Sequence, residues 1–518
     1  MTKVKRRLPE RLTPLAASMG LRPWYGDLHN HCALSYGHGS LDQALTRAAR
    51  QLDFVSVTGH AHWPDMPVDD PRVAHIVDFH VKGFARLDTL WPGHFGTLRE
   101  HDSDDLTIFP GYEIHSCEFG DYTILLRDLA DADLTKAESP VALRDALAAR
   151  HGDGAMAFPH HLAYRRGTRG VNWDALDPAL SPVAEIVSMH GLSETSMGNR
   201  PFLHSMGPGD GGSTVRHGLG LGHVFGFLGN TDHHSGYPGS YGHGRSAIYA
   251  PENGRDALWD ALRARRTNAL TGDCAHLFTV IQGVPQGGIV APGAAPVLDL
   301  EAVAGSFIDC VDVIRNGDIV HRVTPDLTPA PVEAGDDEAM ETILVLELGW
   351  GARGTAHRWT GTLSLSDGEI LAVEPRLRGP EIVSPLEGEE TAPDTDEVTC
   401  DDGAIRFRVR AEANPNNMTS ATQAVAARIR VTPTTEIRLA VGDDRATITA
   451  RRLLDGAATG TIGPMDGPAW RLHPLPRPEQ WQWRGRIALE PLAKGDRIYA
   501  RLRQTNGQWA WSSPIFCR

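Results

Sequence analysis

Residues 26–40 read GDLHNHCALSYGHGS and place three histidines, His29, His31 and His38, within ten positions. The short run before them reads as a strand. Side chains two apart on an extended chain face the same way. The His29-x-His31 pair therefore presents two imidazoles side by side, an arrangement that suits a metal ion.

The same demand recurs along the first half of the chain. Of 24 histidines, 20 fall within residues 1–274. Strand-like apolar runs occur at 53–60, 106–113, 121–126, 154–161, 183–190 and 223–234. Helical patterns lie between several of them. Residues 40–52 have Ser40 as a natural N-cap, 139–152 open on Ser-Pro and end in Gly, and 254–270 are amphipathic. Alternating β and α units predict a parallel sheet, open or closed into a barrel. Counting the strand before His29, seven strands are expected.

Nearly every one of these strands carries metal-type ligands at its end. They are His29 and His31; His60 and His62; Glu113 and His115; Asp121; His160 and His161; Glu185 and His190; and Asp232, His233 and His234. In α/β barrels such ends form one rim, where sites are built. Imidazole with carboxylate and no thiolate suits Zn, Mn or Fe. The candidates exceed the four ligands of one tetrahedral ion, so two or three divalent ions are expected, with Glu113 or Asp232 as a bridge. Such a cluster carries out metal-assisted hydrolysis through a metal-bridging hydroxide.

The 518 residues exceed one core, so two or three domains are expected. Composition is that of a globular protein, 41% hydrophobic and 22% charged. A net charge of −15 argues against nucleic acid or an anionic membrane as the main partner and leaves a small-molecule substrate. The first 22 residues start basic without an apolar signal core, no stretch reads as a membrane span, and the expected compartment is the cytoplasm. The composition does not fix an oligomeric state. Six scattered cysteines give neither a disulfide framework nor a thiolate zinc site. From about 275 the texture turns to β runs separated by Gly, Pro and Asp turns, an all-β, sandwich-like region with an acidic, Pro-bearing break near 384–403. Asn506-Gly507 predicts a hairpin turn. The expected layout is an extension over 1–23, a metallohydrolase unit over 24–275 and a β-rich region over 276–518.

The ordered set DLHNH, VTGH, GYE, FPHH and TDHH resembles the PHP (polymerase and histidinol phosphatase) superfamily over about residues 24–275. The wider context, including GYEIHS, PHHLAYRRGTRGVNWD and the closing AWSSPIF, resembles a narrower group with a β-rich C-terminal half that includes carbaryl-type carbamate hydrolases. The resemblance implies a distorted seven-stranded (β/α) TIM-like barrel with up to three metals. It implies one metal on His29, His31, Glu113 and Asp232, a second on His38, His60 and His234, and a third on His160 sharing Glu113. Asp121 or His115 stands in for a missing histidine of the third. Gly59 replaces the aspartate of the family's Thr-Asp-His.

His161 and His190 are the candidates for protonating a leaving group. Arg165, Arg166, Arg169 and Arg245 on loops after these strands are candidate grips for an anion. Tyr164, Tyr237, Trp63 and Trp173 suit a neutral aromatic substrate instead. A phosphoester is the first expectation and a carbamate or carboxyl ester the second. A metal-holding binding protein without turnover is the reading from another class.

Overall fold

The structure is a computed structural model that describes residues 8–198, 200–293, 295–328, 338–349, 354–380, 396–401, 403–413, 422–463 and 467–518. Twelve strands form its N-terminal part: β1 (Arg22–Asp27), β2 (Phe54–Val55), β3 (Thr58–His62), β4 (Thr107–Ile108), β5 (Gly111–Ile114), β6 (Asp121–Leu126), β7 (Ala155–His160), β8 (Val183–Ser188), β9 (Gly191–Leu192), β10 (Gly226–Gly229), β11 (Arg245–Ala250) and β12 (Thr267–Leu270). β1, β2 and β4 run parallel, and β3 runs parallel to β5. Gly26 makes the first pairing possible, because a Cβ there would sit 2.2 Å from the Phe54 ring.

The ladders depart from the expected barrel. β5, β6 and β7 pair antiparallel, β11 runs antiparallel to both β1 and β12, and β8 and β10 form a separate parallel pair. The strand orders give a mixed α/β arrangement of several sheets and do not show a closed (β/α)7 ring. The strand ends nevertheless converge, because β2–β3 and β4–β5 are two long strands broken by short interruptions after Val55 and Ile108.

Local signals account for the helices. Ser40 accepts from the Gln43 amide and donates its own amide to the Gln43 side chain, a reciprocal cap that starts Leu41–Gln51. Ser139 caps Pro140–His151, which ends at Gly152 with a φ of 60°. The pattern over 254–270 divides into a helix, Arg255–Arg263, and the strand β12. The 28-residue helix Ala74–His101 lies against β3 with Leu87 and Phe95 in its core.

That helix explains Gly59. A Cβ at 59 would lie 2.5 Å from Leu87 Cδ1, so any side chain here must displace Leu87. Gly59→Ala is expected to destabilise the fold by about 1–3 kcal/mol through overpacking. Combined with Leu87→Ala, much of that steric cost should vanish. Denaturant midpoints of both single variants and the double variant check the coupling, and strict additivity would refute the contact.

The C-terminal part is β-rich, with two short helices, Ala450–Leu454 and Pro478–Trp481, that the all-β expectation did not include. Two five-stranded antiparallel sheets share one core, one centred on Gln423–Val431 and Met340–Gly349, the other on Ala404–Ala411 and His357–Leu365. This is a sandwich. The expected break at 384–403 lies mostly outside the described residues. The hairpin at Asn506-Gly507 forms between Arg497–Gln504 and Trp509–Ser512. Its second strand pairs with β12. The ladder therefore crosses position 275, and one apolar core joins Tyr25, Tyr249 and Leu270 to Leu298, Val311 and Ile498. Leu12, in the expected extension, packs with Val303, Ile343 and Trp481. Among the described residues no helix is long and apolar enough to cross a membrane.

One buried histidine on the long helix sets a pH dependence. His94 bonds the Trp91 carbonyl through Nδ1, and its Nε2 is buried without a partner. Burial pushes its pKa down to about 4. The folded value lies below the unfolded one, so its contribution to stability is complete above about pH 6.5 and is lost as pH falls toward 4. His94→Gln should lose about 2 kcal/mol less than the unchanged protein between pH 7 and 4.5. Urea midpoints at the two pH values measure the difference, and equal losses would refute the assignment.

Candidate metal centre

β1 ends at Asp27, and the chain after it is held in place by the segment after β10. The amides of His31 and Asp232 bond the carbonyls of His233 and His29 at 2.8 Å each. This exchange fixes both segments side by side. His29 and His31, fully buried, turn their Nε2 atoms toward each other at 3.2 Å. Glu113, from β5, places Oε2 3.3 Å from each of them, and Asp232 Oδ1 lies at 3.4 and 3.1 Å.

The tautomers decide what this cluster needs. His31 Nδ1 faces the Thr58 carbonyl, which only accepts, so that nitrogen carries the proton. His29 Nδ1 faces the Glu185 carboxylate at 2.9 Å. In the neutral rings both Nε2 atoms then hold lone pairs. Two such nitrogens at 3.2 Å, among carboxylate oxygens, repel unless a metal ion or a proton lies between them. Ligands 2.0–2.1 Å from one tetrahedral ion sit about 3.3–3.4 Å apart, close to the spacings found here. Burial works against charge on His29, but Asp232, Glu185 and Glu113 hold its pKa well above the ordinary value. The pocket demands positive charge.

Three further histidines follow the same rule. His60 is tied at Nδ1 to Ser35 Oγ at 2.9 Å, with Nε2 3.7 Å from Glu113 Oε2. His160 is tied to Thr123 Oγ1 at 3.0 Å, with Nε2 3.0 Å from Glu113 Oε1. His190 is tied to Ser205 Oγ at 2.8 Å, with Nε2 2.9 Å from Asp232 Oδ2. An outer hydrogen bond that fixes tautomer and ring orientation is the support metal-binding histidines use. His234 bonds the Asp232 carbonyl through Nδ1 and shares a donor group with His31 and His60. Further groups that could hold an ion are His60–Glu113–His115, Asp121–His160–His161 and His161–His190–Asp232.

Electrostatics bind the set together. Burial alone would raise Glu113, yet His115, His160 and His60 hold it well below the usual carboxylate range. Burial likewise opposes ionisation of Asp232, and His29, His161 and His190 overcome it. His161 bonds Asp232 through Nε2 and lies 3.4 Å from Asp121 through Nδ1. Burial lowers its pKa, but these carboxylates lift it to about 9. Strain collects here too. His161, Arg169 and Asp232 have φ of 49°, 70° and 53°, a region uncommon for residues other than glycine and enriched at functional sites.

The structure thus gathers His29, His31, His60, Glu113, Asp121, His160, His161, His190, Asp232 and His234. His38 is buried, and its amide bonds the His234 carbonyl at 2.8 Å. The structure leaves others outside. Arg165 is exposed. Arg245 is buried away from the cluster against Cys274, Gly239 and Glu374, and Tyr237 bonds Asp396. Tyr164 lies at the margin, holding Ser205, the partner of His190, at 3.2 Å. Trp173 packs on Phe225. Cys32 is buried, and burial raises its thiol to about 11.

Three contributors carried weaker sequence signals. Glu185 is a carboxylate inside an apolar strand, which by itself calls for a buried partner. Arg169 reaches Asp121 Nε to Oδ2 at 2.8 Å and His115 at 2.6 Å, with its guanidinium 5.1 Å from the Trp63 ring. Tyr36 stacks on His60 at 3.6 Å, which no local pattern announces.

No family model matches the chain. It is 31% identical over 183 residues to an uncharacterized protein of Chlamydia pneumoniae, covering 32% of this chain and 30% of that protein. It is 29% identical over 174 residues to an uncharacterized protein of Chlamydia trachomatis, covering 30% and 28%. The chain spans about a third of the length of these curated relatives. Among solved structures, it is similar to a two-domain protein of Bacteroides vulgatus described as containing a predicted PHP-like metal-dependent phosphoesterase. Identity is 13%, the TM-score 0.32, and 87% of this chain and 99% of that one are covered. PsfC of Pseudomonas syringae gives 18% identity and a TM-score of 0.31 over 46% and 87%. Both likenesses are remote, and the side-chain geometry carries the argument.

Proposed function

We propose that the protein is a PHP-like metal-dependent hydrolase of a small-molecule ester, with a phosphoester ranked first. The observation that carries this reading is the pair of inward Nε2 atoms of His29 and His31, 3.2 Å apart beside Glu113 and Asp232. A cation resolves that contact. Two or three divalent ions, Zn, Mn or Fe, held by His29, His31, His60, Glu113, Asp121, His160, Asp232 and His234, would supply Lewis acidity and a water of lowered pKa when bound.

The chain's own residues do the rest. Glu113 offers one oxygen to His29, His31 and His60 and the other to His160 and His115, so it ties the two sides of the site together. His161 and His190 both meet Asp232 Oδ2, where we assign them to holding and returning a proton. Arg169 brings positive charge to the group beside Asp121 and favours an anionic substrate. The near-complete burial of the cluster excludes bulk water, which strengthens each interaction inside. We read the strand set as a distorted PHP barrel closed by contacts the ladders do not join, the compartment as the cytoplasm, and the units as 24–275 and 276–518 sharing a core.

A carbamate or carboxyl ester on the same site is the second reading, supported by Trp63 and Tyr36 beside the histidines. Protein loaded with Zn, Mn or Fe should hydrolyse p-nitrophenyl phosphate or its diester faster than p-nitrophenyl acetate or 1-naphthyl methylcarbamate. The reverse order favours the second reading. Inactivity on all four with metal bound favours a binding protein without turnover.

A further inference from the structure

Away from the histidines, the β-rich half and the N-terminal sheet enclose a cavity of about 460 Å³. Its walls come from Tyr241, the turn at 305–307, the strands Met340–Gly349 and Glu369–Arg376, and the hairpin turn at Asn506. The volume falls in the range of small-molecule sites. Its lining is rich in cations. Among the described lining residues three are arginines, Arg376, Arg378 and Arg471, and the one acid is Glu347. The chain as a whole carries −15.

These cations differ in how they are engaged. Arg471 Nε and His473 Nε2 both bond Glu347 Oε2, at 3.1 and 2.8 Å. Arg376 pairs with Asp273 and Glu374 at 3.1 Å each, and its third nitrogen, Nε, is buried without an acceptor. Arg378 lies over the Tyr241 ring at 5.1 Å and, among the described residues, has no ion pair. Arg376 approaches the same ring at 5.7 Å. A half-buried guanidinium that meets no anion among the described residues, seated on an aromatic ring, has forked donors left to offer. Next to it lie apolar Phe307, Ile343 and Val345.

We propose that this cavity binds a small organic oxyanion. Its phosphate or carboxylate group meets Arg378, and its apolar body rests on Phe307, Ile343 and Val345. Guanidinium forks match both oxyanions in two-point contacts. The loop that supplies Tyr241 also carries Asp232 and His234, and the segment after Arg376 bonds it from both sides. The Tyr241 amide meets the Leu377 carbonyl at 2.9 Å, and the Gly379 amide meets Ser240 Oγ at 3.1 Å. The site nevertheless shares no ligand-type residue with the histidine cluster.

Isothermal titration calorimetry with inorganic phosphate, benzoate and phenylphosphonate tests this on the metal-loaded, full-length chain. Saturable one-site binding of benzoate or phenylphosphonate at millimolar concentration or below is expected, tighter than inorganic phosphate because of the apolar wall. Arg378→Gln should weaken it at least about tenfold, ~1.4 kcal/mol, without shifting the melting temperature. Arg378→Lys, which keeps the charge and loses the fork, should fall between. Glu113→Gln, at the metal centre, should leave it unchanged. Whether benzoate or phenylphosphonate binds better identifies the head group. No saturable binding of any probe overturns the proposal. So does binding that survives Arg378→Gln, or that vanishes in Glu113→Gln, which would place the anion at the metal centre.

Discussion

Asp232→Asn is expected to lower turnover about a thousandfold or more, ~4 kcal/mol of barrier, in a protein that still folds. Asp232 faces His29 and His31 through Oδ1 and His161 and His190 through Oδ2. An amide keeps the shape but removes the charge, and its NH2 points a donor at nitrogens that are themselves held by fixed partners. Both the demand for a cation and the positioning of His161 and His190 are weakened together. Steady-state kinetics with metal analysis separate the two effects. A fall of less than about tenfold with full metal content, ~1.4 kcal/mol, would remove Asp232 from the chemistry.

Glu113→Gln should have an effect of similar size and a clearer metal signature. Its two oxygens reach five histidines, His29, His31, His60, His115 and His160, at 3.0–3.7 Å. Among the described carboxylates of the site, Asp232 faces as many, namely His29, His31, His161, His190 and His234. Losing the Glu113 charge should lower bound metal per chain and reduce turnover by at least about a hundredfold, ~2.7 kcal/mol. Elemental analysis and single-turnover assays check this. Unchanged metal content would mean that Glu113 serves the fold and not an ion.

The difference between these residues and the rest shows what a sequence can reveal. His29, His31, His60, Glu113, His160 and Asp232 lie at or just beyond strand ends, where strand period and burial limit what a polar side chain can do. Their chemistry is therefore local and readable. Arg245 has the same position after a strand-like run, yet β11 carries it into the interior against Glu374, a residue 129 positions later. Nothing near Arg245 announces that partner. Tyr237 likewise bonds a distant residue, Asp396 on the β-rich half.

The fold was legible where caps and turns are local, as at Ser40, Ser139 and Gly507. It was not legible where pairing is distant. The Trp509–Ser512 strand joins β12 across more than two hundred positions. The long helix Ala74–His101 stayed hidden because Pro92 and three glycines, Gly83, Gly93 and Gly96, interrupt its pattern. Gly83 has a use. A Cβ there would sit 2.8 Å from Tyr36, the ring that stacks on His60. The antiparallel turns among β5, β6 and β7 also defeat a β–α count, because the chain returns without a helix between β5 and β6.

Anomalous diffraction from crystals of the metal-loaded protein, recorded at the absorption edge of the bound element, tests the central claim most directly. A peak is expected within about 2.0–2.3 Å of His29 Nε2, His31 Nε2 and a Glu113 oxygen. A map with no peak among those atoms, from protein that elemental analysis shows to carry metal, would contradict that claim.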